Sequence, residues 1–293
     1  LRDKFPQVTL LKFSENYGFA EGYNRAIKET NYPYTILLNS DVATTPGWVN
    51  HLYEYMETHP EVGACQPKIR AYTNMSHFEY AGAAGGFIDR NGYPYCRGRI
   101  FDTLEEDKEQ YDTVCDISWA TGAALMIRTA EYRTSGGLDG RFFAHMEEID
   151  LCWRLRARGS RILCVPQSTV YHVGGATLNS SNPYKTFLNF RNNLLLLYKN
   201  LPERELKKVM FVRFWLDMVA AFMFLLKLNT GNFKAVFKAR RAFRKMKPEF
   251  ADKRAENISK TVLENIPERS GFLLVWQYHL LGKRTYKQLH GQD

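Results

Sequence analysis

Short apolar runs alternate with segments of helical periodicity along the first two thirds of the chain. The runs predict strands over residues 8–13, 34–39, 63–69, 117–128 and 161–166. Between them, apolar residues recur every three to four positions and predict helices over residues 22–30, 48–59 and 146–159. Strands that alternate with helices indicate a layered α/β domain.

Two stretches depart from this alternation. Residues 70–116 are rich in Gly, Asn, Tyr and charge and predict an irregular excursion from the sheet, where substrate contacts often lie. From about residue 199, long helical stretches rich in Phe, Leu, Lys and Arg follow. We therefore divide the chain into an α/β domain over residues 1–200 and a basic, amphipathic helical region over residues 201–293.

The first residues contain no initiator Met and no apolar leader. The segment before Pro6 predicts the end of a helix that leads into the first strand. We therefore expect the α/β domain to lack an upstream strand and helix.

Charge and cysteine content narrow the partners and the compartment. The formal net charge of +9 favours an anionic partner, such as nucleic acid, an acidic lipid surface or a phosphorylated substrate. Because no nucleic-acid-binding module accompanies the charge, we expect no nucleic-acid partner. The five cysteines are widely spaced without a C-x-x-C pair, which suggests neither a disulfide framework nor a zinc site and favours a reducing compartment.

The second predicted strand stops abruptly at polar residues. Asn39, Ser40 and Asp41 follow its apolar run, and ligands of open α/β sheets bind at the carboxyl ends of strands. A carboxylate there is a candidate ligand for Mg²⁺ or Mn²⁺, whereas Asn39 offers only a neutral amide oxygen. The alternative is that Asp41 opens a turn or caps the next helix.

Three carboxylates begin the third predicted helix. Glu147 and Glu148 lie beside apolar residues, and a desolvated carboxylate can act as a general base. The alternative is simple complementarity between acidic side chains and the helix N-terminus. Asp150 and Arg154 are four residues apart, so we predict a structural ion pair along the helix.

Two further segments have the chemistry of ligand sites. His172 follows a strand and precedes two glycines, where an imidazole could bind a metal or contact a diphosphate; a packed or surface histidine is the alternative. Asn16, Gly18, Gly22 and Asn24 occupy a predicted strand-to-helix connection that a phosphate or base could approach. An ordinary turn and helix cap would explain that connection equally well.

Taken together, these segments resemble the family 2 glycosyltransferases, especially the rhamnosyltransferase-like bacterial members, over residues 8–198. The resemblance is carried by NYGFAEGYNRAI, LLNSDV, ATGAALMIR, GGLDGRFFAHMEEIDLCWRLRARG and YHVGGAT. It implies a GT-A fold, in which a Rossmann-like mixed sheet is flanked by helices. It also implies a nucleotide-sugar donor and inverting displacement at the anomeric carbon.

The resemblance also implies roles for individual residues. Asp41 would hold a divalent cation, Mg²⁺ or Mn²⁺, and the diphosphate, with help from His172, although Asn39 stands where a second acid is usual. Glu148 is the implied base and Glu147 the next candidate; a glutamate at the usual aspartate position adds a methylene. The nucleotide side would be lined by Asn16, Gly18, Gly22 and Asn24. The donor sugar and acceptor would meet near Trp119, Thr121 and Gly122, with Trp119 as an acceptor platform or a core residue.

The basic C-terminal region carries two candidate membrane segments. Residues 209–228 have the length of a span but include Arg213, Asp217 and Lys227, so we favour a helix that lies on a membrane or packs on the catalytic domain. Residues 232–247 place Phe233, Val236, Phe237 and Phe243 on one face, which suits an anionic lipid surface or packing on the protein itself. Residues 271–282 could add a further contact.

The leading hypothesis is an enzyme of cell-surface polysaccharide synthesis. It would transfer a sugar from a dTDP-, UDP- or GDP-linked donor to a lipid-linked or glycan acceptor, as a peripheral protein of the cytoplasmic membrane face. One alternative is a non-catalytic assembly partner that binds nucleotide sugar or glycan. Another is a basic adaptor for the membrane surface.

Overall fold

The computed structural model describes residues 3–174 and 182–291, which form strands in two sheets. The strands are β1 (Tyr34–Leu38), β2 (Val42–Thr44), β3 (Val62–Ala71), β4 (Gly86–Asp89), β5 (Pro94–Cys96), β6 (Arg99–Ile100), β7 (Thr103–Leu104), β8 (Cys115–Asp116), β9 (Ala124–Arg128), β10 (Arg161–His172) and β11 (Arg269–Ser270).

The helices of the described residues flank these sheets and fill most of the C-terminal third. They are α1 (Gly18–Lys28), α2 (Trp48–Thr58), α3 (Thr129–Thr134), α4 (Glu147–Ala157), α5 (Pro183–Asn200), α6 (Glu203–Leu226), α7 (Thr230–Met246), α8 (Ala251–Ser259), α9 (Leu274–His279) and α10 (Tyr286–His290). Short 3₁₀ turns cover Gly140–Phe142 and Lys247–Phe250.

The larger sheet brings three strand ends to one edge. Its order is β1-β9-β3-β10-β2, with β8 also paired to β10. β3 and β10 run parallel, whereas β9 is antiparallel to both β1 and β3. The carboxyl ends of β1, β3 and β10 therefore share an edge, and β2 returns from that edge antiparallel to β10. The predicted mixed sheet flanked by helices is confirmed.

The predicted irregular excursion contains a second sheet instead. β4, β5, β6 and β7 pair in sequence as antiparallel strands, and β11 joins β4 in parallel from the far end of the chain. The turn between β4 and β5 is organised by the buried carboxylate of Asp89, which accepts the backbone N–H groups of Asn91, Tyr93 and Leu274. Irregular composition concealed these strands because each is only two to four residues long.

Three predicted elements differ in extent or type. Residues 8–13 form no strand, and Val8 and Leu11 are exposed, because no described strand offers the backbone partners that an extended segment needs. The run over 117–128 is regular strand only in β9, since the Trp119 segment crosses to the smaller sheet through a single bridge with Gly86. Helix α1 begins at Gly18, four residues earlier than predicted.

The apolar face predicted for residues 232–247 is only partly covered. Val236 and Phe243 of α7 are buried where α7 packs against α5 and α6, whereas Phe237 stays exposed, so both predicted uses of this face stay predictions. Among the described helices, α6 has the length and hydropathy of a membrane span. Its two central charges, Arg213 and Asp217, are buried against the protein. The predicted domain boundary at residue 200 stays a prediction.

Candidate active site

The loop after β1 and the end of β10 bring Asp41 and His172 together. The Val173 N–H donates to the Asp41 carbonyl oxygen at 3.0 Å, which continues the β2–β10 pairing beyond the strands. In this register, His172 Nε2 lies 3.1 Å from Asp41 Oδ1 and 3.4 Å from Asn39 Nδ2. Three sequence-predicted residues from strand ends 131 positions apart along the chain thus form one cluster.

Glu79 approaches the other side of the imidazole. Its Oε1 lies 3.5 Å from His172 Nδ1. At this distance the two atoms do not form a hydrogen bond, and Nδ1 has no hydrogen-bond partner among the described residues. Burial disfavours the imidazolium, but the Glu79 and Asp41 carboxylates outweigh burial and raise the pKa of His172. Glu79 therefore places a second carboxylate beside the ring, on the side away from Asp41.

Gly174 keeps Glu79 in reach of the ring. It has a φ of +64°, and a Cβ there would come within 2.5 Å of Glu79 Oε1. A side chain at position 174 would therefore strain the backbone and displace the carboxylate. The second glycine of the predicted pair, Gly175, lies outside the described residues.

The donor atoms of this cluster suit a small divalent cation only in part. Within residues 3–174 and 182–291, no group of three or more His, Cys, Asp or Glu side chains is arranged to hold a metal. Two ligands at right angles on an ion with bonds of about 2.1 Å would lie about 3.0 Å apart, close to the 3.1 Å between Asp41 and His172. Mg²⁺ commonly takes one or two protein ligands and completes its shell with water and substrate phosphate.

The predicted base residues begin α4 with little compensation for their charge. Glu147 is buried and Glu148 is half-buried. One carboxylate oxygen of each has no hydrogen-bond partner among the described residues. Burial raises the pKa of Glu147 to about 8, with help from the neighbouring Glu148 and Asp150, and burial also raises the pKa of Glu148. Proton-accepting carboxylates near neutral pH have this kind of environment.

The loop that presents these glutamates is strained. Phe143, His145 and Met146 all have φ between 68° and 75°, a left-handed conformation that costs a non-glycine residue about 1–3 kcal/mol. The side chain of Asn192, on α5, donates to the carbonyl oxygens of Phe142, Ala144 and His145 at 2.7 to 2.9 Å. Arg191 also donates to the Phe142 carbonyl at 2.8 Å, so two neighbouring side chains of α5 hold the loop, and Asn192 is the one that also reaches Ala144 and His145.

Asp150 has the structural role predicted for it. Its carboxylate lies 2.9 Å from Arg154 Nη2, 2.7 Å from Lys199 Nζ and 2.8 Å from Asn200 Nδ2. Arg154 in turn donates to the carbonyl oxygens of Ser135 and Gly137. This network joins α4 to the end of α5 and leaves Asp150 no oxygen free for chemistry.

The predicted nucleotide-contacting residues separate into two groups. Asn24 is a structural residue, because its amide donates to the Leu138 carbonyl at 2.8 Å and accepts from Tyr132 Oη and the Leu138 N–H. These hydrogen bonds favour the structural alternative for Asn24, and its assignment to the nucleotide side stays a prediction. Gly18 and Gly22 belong to α1 and not to a loop; Asn16 accepts from the Gly18 N–H at 2.9 Å. The nucleotide role of Asn16, Gly18 and Gly22 stays a prediction.

The predicted acceptor platform at Trp119 is also corrected. Its ring is buried against Gly86, and its indole N–H donates to the Phe87 carbonyl at 2.8 Å, so it offers no face to a sugar. Thr121 is buried and bonded through its N–H to Gln66, while Gly122 makes room for the Phe19 ring of α1. These three residues connect the two sheets to α1, and a substrate role for Thr121 and Gly122 stays a prediction.

Sequence reasoning missed two residues that position the site. Glu79 lies in the connection between β3 and β4, 93 residues before His172, and no local pattern links them. Asn192 gave a weak signal, since two consecutive asparagines interrupt an otherwise apolar face of α5. Polar residues buried within such a helix require partners, but the sequence does not say which.

Comparison with known proteins agrees with this geometry. Residues 1–122 match the family model described as Glycosyl transferase family 2. The chain is 27% identical over 191 residues to an N-acetylglucosaminyl-diphospho-decaprenol L-rhamnosyltransferase of Mycobacterium tuberculosis, covering 58% of this chain and 60% of that protein. It is 36% identical over 61 residues to the rhamnosyltransferase WbbL of Escherichia coli, covering 21% and 22% of the two chains.

The fold has a counterpart among solved structures. A crystal structure of GalNAc-T7 with UDP, GalNAc and Mn²⁺ superposes with a TM-score of 0.51 at 12% identity, over 67% of this chain and 38% of that one. At this identity the likeness shows the fold alone, which is GT-A.

Residues 1–122 therefore resemble the family 2 glycosyl transferases, and the relatives named above include rhamnosyltransferases. This confirms the predicted resemblance and supports the hexosyltransferase class of enzyme. The chain spans about 60% of the length of the first curated relatives that it matches.

Proposed function

We propose that this protein transfers a sugar from a nucleotide-sugar donor to an acceptor hydroxyl, with inversion at the anomeric carbon. The observation that supports this most is the pair of chemically distinct clusters within a GT-A fold. Asp41 and His172 form a cluster suited to cation and diphosphate, whereas Glu147 and Glu148 are carboxylates poised to take a proton.

The proposed reaction needs one proton acceptor and one departing diphosphate. Glu148 takes the proton of the acceptor hydroxyl while the oxygen of that hydroxyl bonds to the anomeric carbon. The bond between that carbon and the diphosphate oxygen breaks, and the nucleoside diphosphate leaves with the electron pair. Attack from the face opposite the leaving group inverts the anomeric configuration.

Asp41 and His172 would hold a divalent cation, Mg²⁺ or Mn²⁺. The cation would stabilise the negative charge that develops on the departing diphosphate. Asn39 could add its amide oxygen after a half-turn of its amide group, since Nδ2 now faces the ring. The fold relative named above carries UDP and Mn²⁺, which favours this assignment of the strand-end cluster.

The acceptor class is proposed from the relatives. The mycobacterial relative is named for an acceptor in which a sugar is joined through diphosphate to a lipid. We therefore propose a lipid-linked or growing glycan acceptor. We also propose that the protein acts at the cytoplasmic face of the membrane, in cell-surface polysaccharide synthesis. The donor is a dTDP-, UDP- or GDP-linked sugar.

The test is release of nucleoside diphosphate from a panel of UDP-, dTDP- and GDP-sugars with lipid-linked acceptors. Release is measured with Mn²⁺, with Mg²⁺ and with EDTA, for the natural protein and for Asp41→Ala. We expect metal-dependent release from one donor class and its loss in Asp41→Ala. Asp102→Ala, an exchange outside both clusters, is the matched control.

Silence from the folded natural protein with every donor would contradict the proposal. Binding of one nucleotide sugar without turnover would then favour the non-catalytic role. Equal turnover with and without EDTA would support the transferase activity but contradict a requirement for a divalent cation.

A further inference from the structure

Helix α6 presents a continuous apolar stripe to solvent. Phe211, Trp215, Val219, Phe222 and Leu226 are each more than half exposed. Their spacing of three or four residues places them on one face, over a length of about 22 Å. A contiguous surface of this kind marks an interaction site in a soluble protein.

The opposite face of α6 fixes how the helix is turned. Arg213 and Asp217 are buried there and lie 3.1 Å apart, and Asp217 also pairs with Arg240 of α7. Arg213 donates to the Asn91 carbonyl and stacks over Tyr93 at 4.2 Å. Crossing a bilayer would separate these groups from the protein, so α6 keeps this face inward and can offer only the stripe.

Basic side chains border the stripe at both ends. Lys207 and Lys208 are exposed one turn before Phe211, and Lys227 follows Leu226. From residue 206 to residue 228 the single acidic residue is Asp217, which is fully buried. The segment that carries the stripe is therefore apolar and cationic without an exposed carboxylate of its own.

The charge of the whole chain is distributed in the same way. Residues 201–293 contain 19 Lys and Arg against 9 Asp and Glu, whereas residues 1–200 contain 21 against 22. The basic excess thus belongs entirely to the region that carries the stripe. The adjoining helix α7 contributes to this basic excess with exposed cations, namely Lys234, Lys238, Arg241, Arg244 and Lys245.

A second apolar patch lies near the C-terminal end of α6. Trp276, Leu280 and Leu281 are exposed on and after α9. Lys227 of α6 is close enough to His279 to contribute, after burial and Arg284, to lowering the pKa of that histidine. The exposed carboxylate of Asp102 acts on the same histidine in the opposite direction, so the border of this second patch carries both signs of charge.

We propose that the stripe on α6 inserts into the interfacial layer of a bilayer that contains anionic lipid, with the helix axis along the membrane plane. Apolar side chains would enter the boundary between headgroups and acyl chains, while the lysines pair with lipid phosphates. A protein partner would need an apolar groove with an acidic border. An anionic membrane supplies an apolar layer and a negatively charged surface without needing a shaped groove. This inference is independent of the proposed chemistry.

The experiment is co-sedimentation of the full chain with phosphatidylcholine vesicles, with and without phosphatidylglycerol. The natural protein should bind the anionic vesicles, and binding should weaken with salt. Phe211→Ser combined with Trp215→Ser and Phe222→Ser should weaken binding at least tenfold. Because these side chains are exposed, its thermal unfolding should stay close to that of the natural protein.

Two controls separate the causes. Val262→Ser removes an equally exposed apolar side chain outside the stripe and should bind as the natural protein does. Lys207→Glu with Lys208→Glu should weaken binding to anionic vesicles alone. Unchanged binding by the triple variant overturns the proposal, as does a natural protein that ignores vesicles but forms dimers that the triple variant disperses.

Discussion

The two clusters of the candidate active site are held in place by different means. Asp41 and His172 lie at strand ends, and the β2–β10 register that brings them together is made of backbone hydrogen bonds. Glu147 and Glu148 follow a strained loop whose carbonyl oxygens are held by the side chain of Asn192. One cluster therefore depends on the sheet, and the other depends on side chains of a remote helix, Asn192 above all.

This difference shows where the site is vulnerable. Backbone pairing distributes its stabilisation over many residues, so single substitutions near Asp41 change its position little. The left-handed conformations of Phe143, His145 and Met146 persist only while their surroundings impose them. Substitutions in α5 should therefore affect the proton-accepting cluster and spare the strand-end cluster.

The largest expected effect is loss of the proposed base. Glu148→Gln keeps the size of the side chain but cannot accept the proton, so turnover should fall about 10²–10⁴-fold. Affinity for the nucleotide-sugar donor, measured by calorimetry, should stay within about twofold because the strand-end cluster is unchanged. Glu131→Gln, an acid on α3 outside both clusters, is the control. Full activity in Glu148→Gln would show that Glu148 is not the proton acceptor and would make Glu147 the next candidate.

The next effect tests the dependence on Asn192. Asn192→Ala removes the donor to three carbonyl oxygens, and the released loop should lower kcat about tenfold to a hundredfold. The KM for the donor should change little, because the strand ends do not depend on α5.

Asn193→Ala is the matched control for this variant. Asn193 is equally buried on the same helix, but its amide donates to Gly92 and not to the loop. Both variants should lose thermal stability, but only Asn192→Ala should also have a lower kcat than the natural protein. Equal kcat values in the two variants would show that Asn192 has no positioning role.

A smaller effect is expected at Glu79. Glu79→Gln removes the negative charge beside His172 Nδ1 and should weaken Mn²⁺ affinity by about tenfold to a hundredfold, as loss of outer carboxylates does in metal sites. Titration of Mn²⁺ by its paramagnetic resonance signal measures this without turnover. Glu61→Gln, an exposed acid, serves as control. An unchanged affinity would argue against a cation held by His172.

The smallest effect is a pH dependence of stability. Burial raises the pKa of Glu147 to about 8, so the folded protein retains a proton that the unfolded chain releases from about pH 4.5 upward. The folded state should therefore lose stability as pH rises from about 4.5 to about 8. Calorimetry of Glu147→Gln should show a gain in Tm over the natural protein that is larger at pH 8 than at pH 5. An equal difference at both pH values would mean that Glu147 titrates normally.

Some elements were predictable because their cause is local. The apolar runs of β1 and β3, and the periodicity of α2 and α4, are properties of contiguous residues, and each of these elements formed close to its predicted bounds. β10 begins where predicted but continues six residues further, to His172. Asp41 was found because it closely follows an apolar run. The pair Asp150–Arg154 needed only the pitch of one helix.

Other features were decided by contacts between distant segments. Asn24 and Trp119 look like ligand-contacting residues along the sequence, but Asn24 is half-buried with its amide bonded to Leu138, and Trp119 is buried against Gly86. Packing also decided that Phe211 and Trp215 of α6 are exposed whereas Val236 and Phe243 of α7 are buried.

The sequence by itself determined the main elements of the larger sheet and its helices, the family resemblance and the types of residue at the site, because periodicity and short motifs are local. The tertiary structure alone decided that Glu79 lies beside His172, that Asn192 holds the loop before Glu147, and that α6 turns its charges inward. Those contacts join residues 47 to 122 positions apart, and a buried polar group can meet its partner only after the chain has folded.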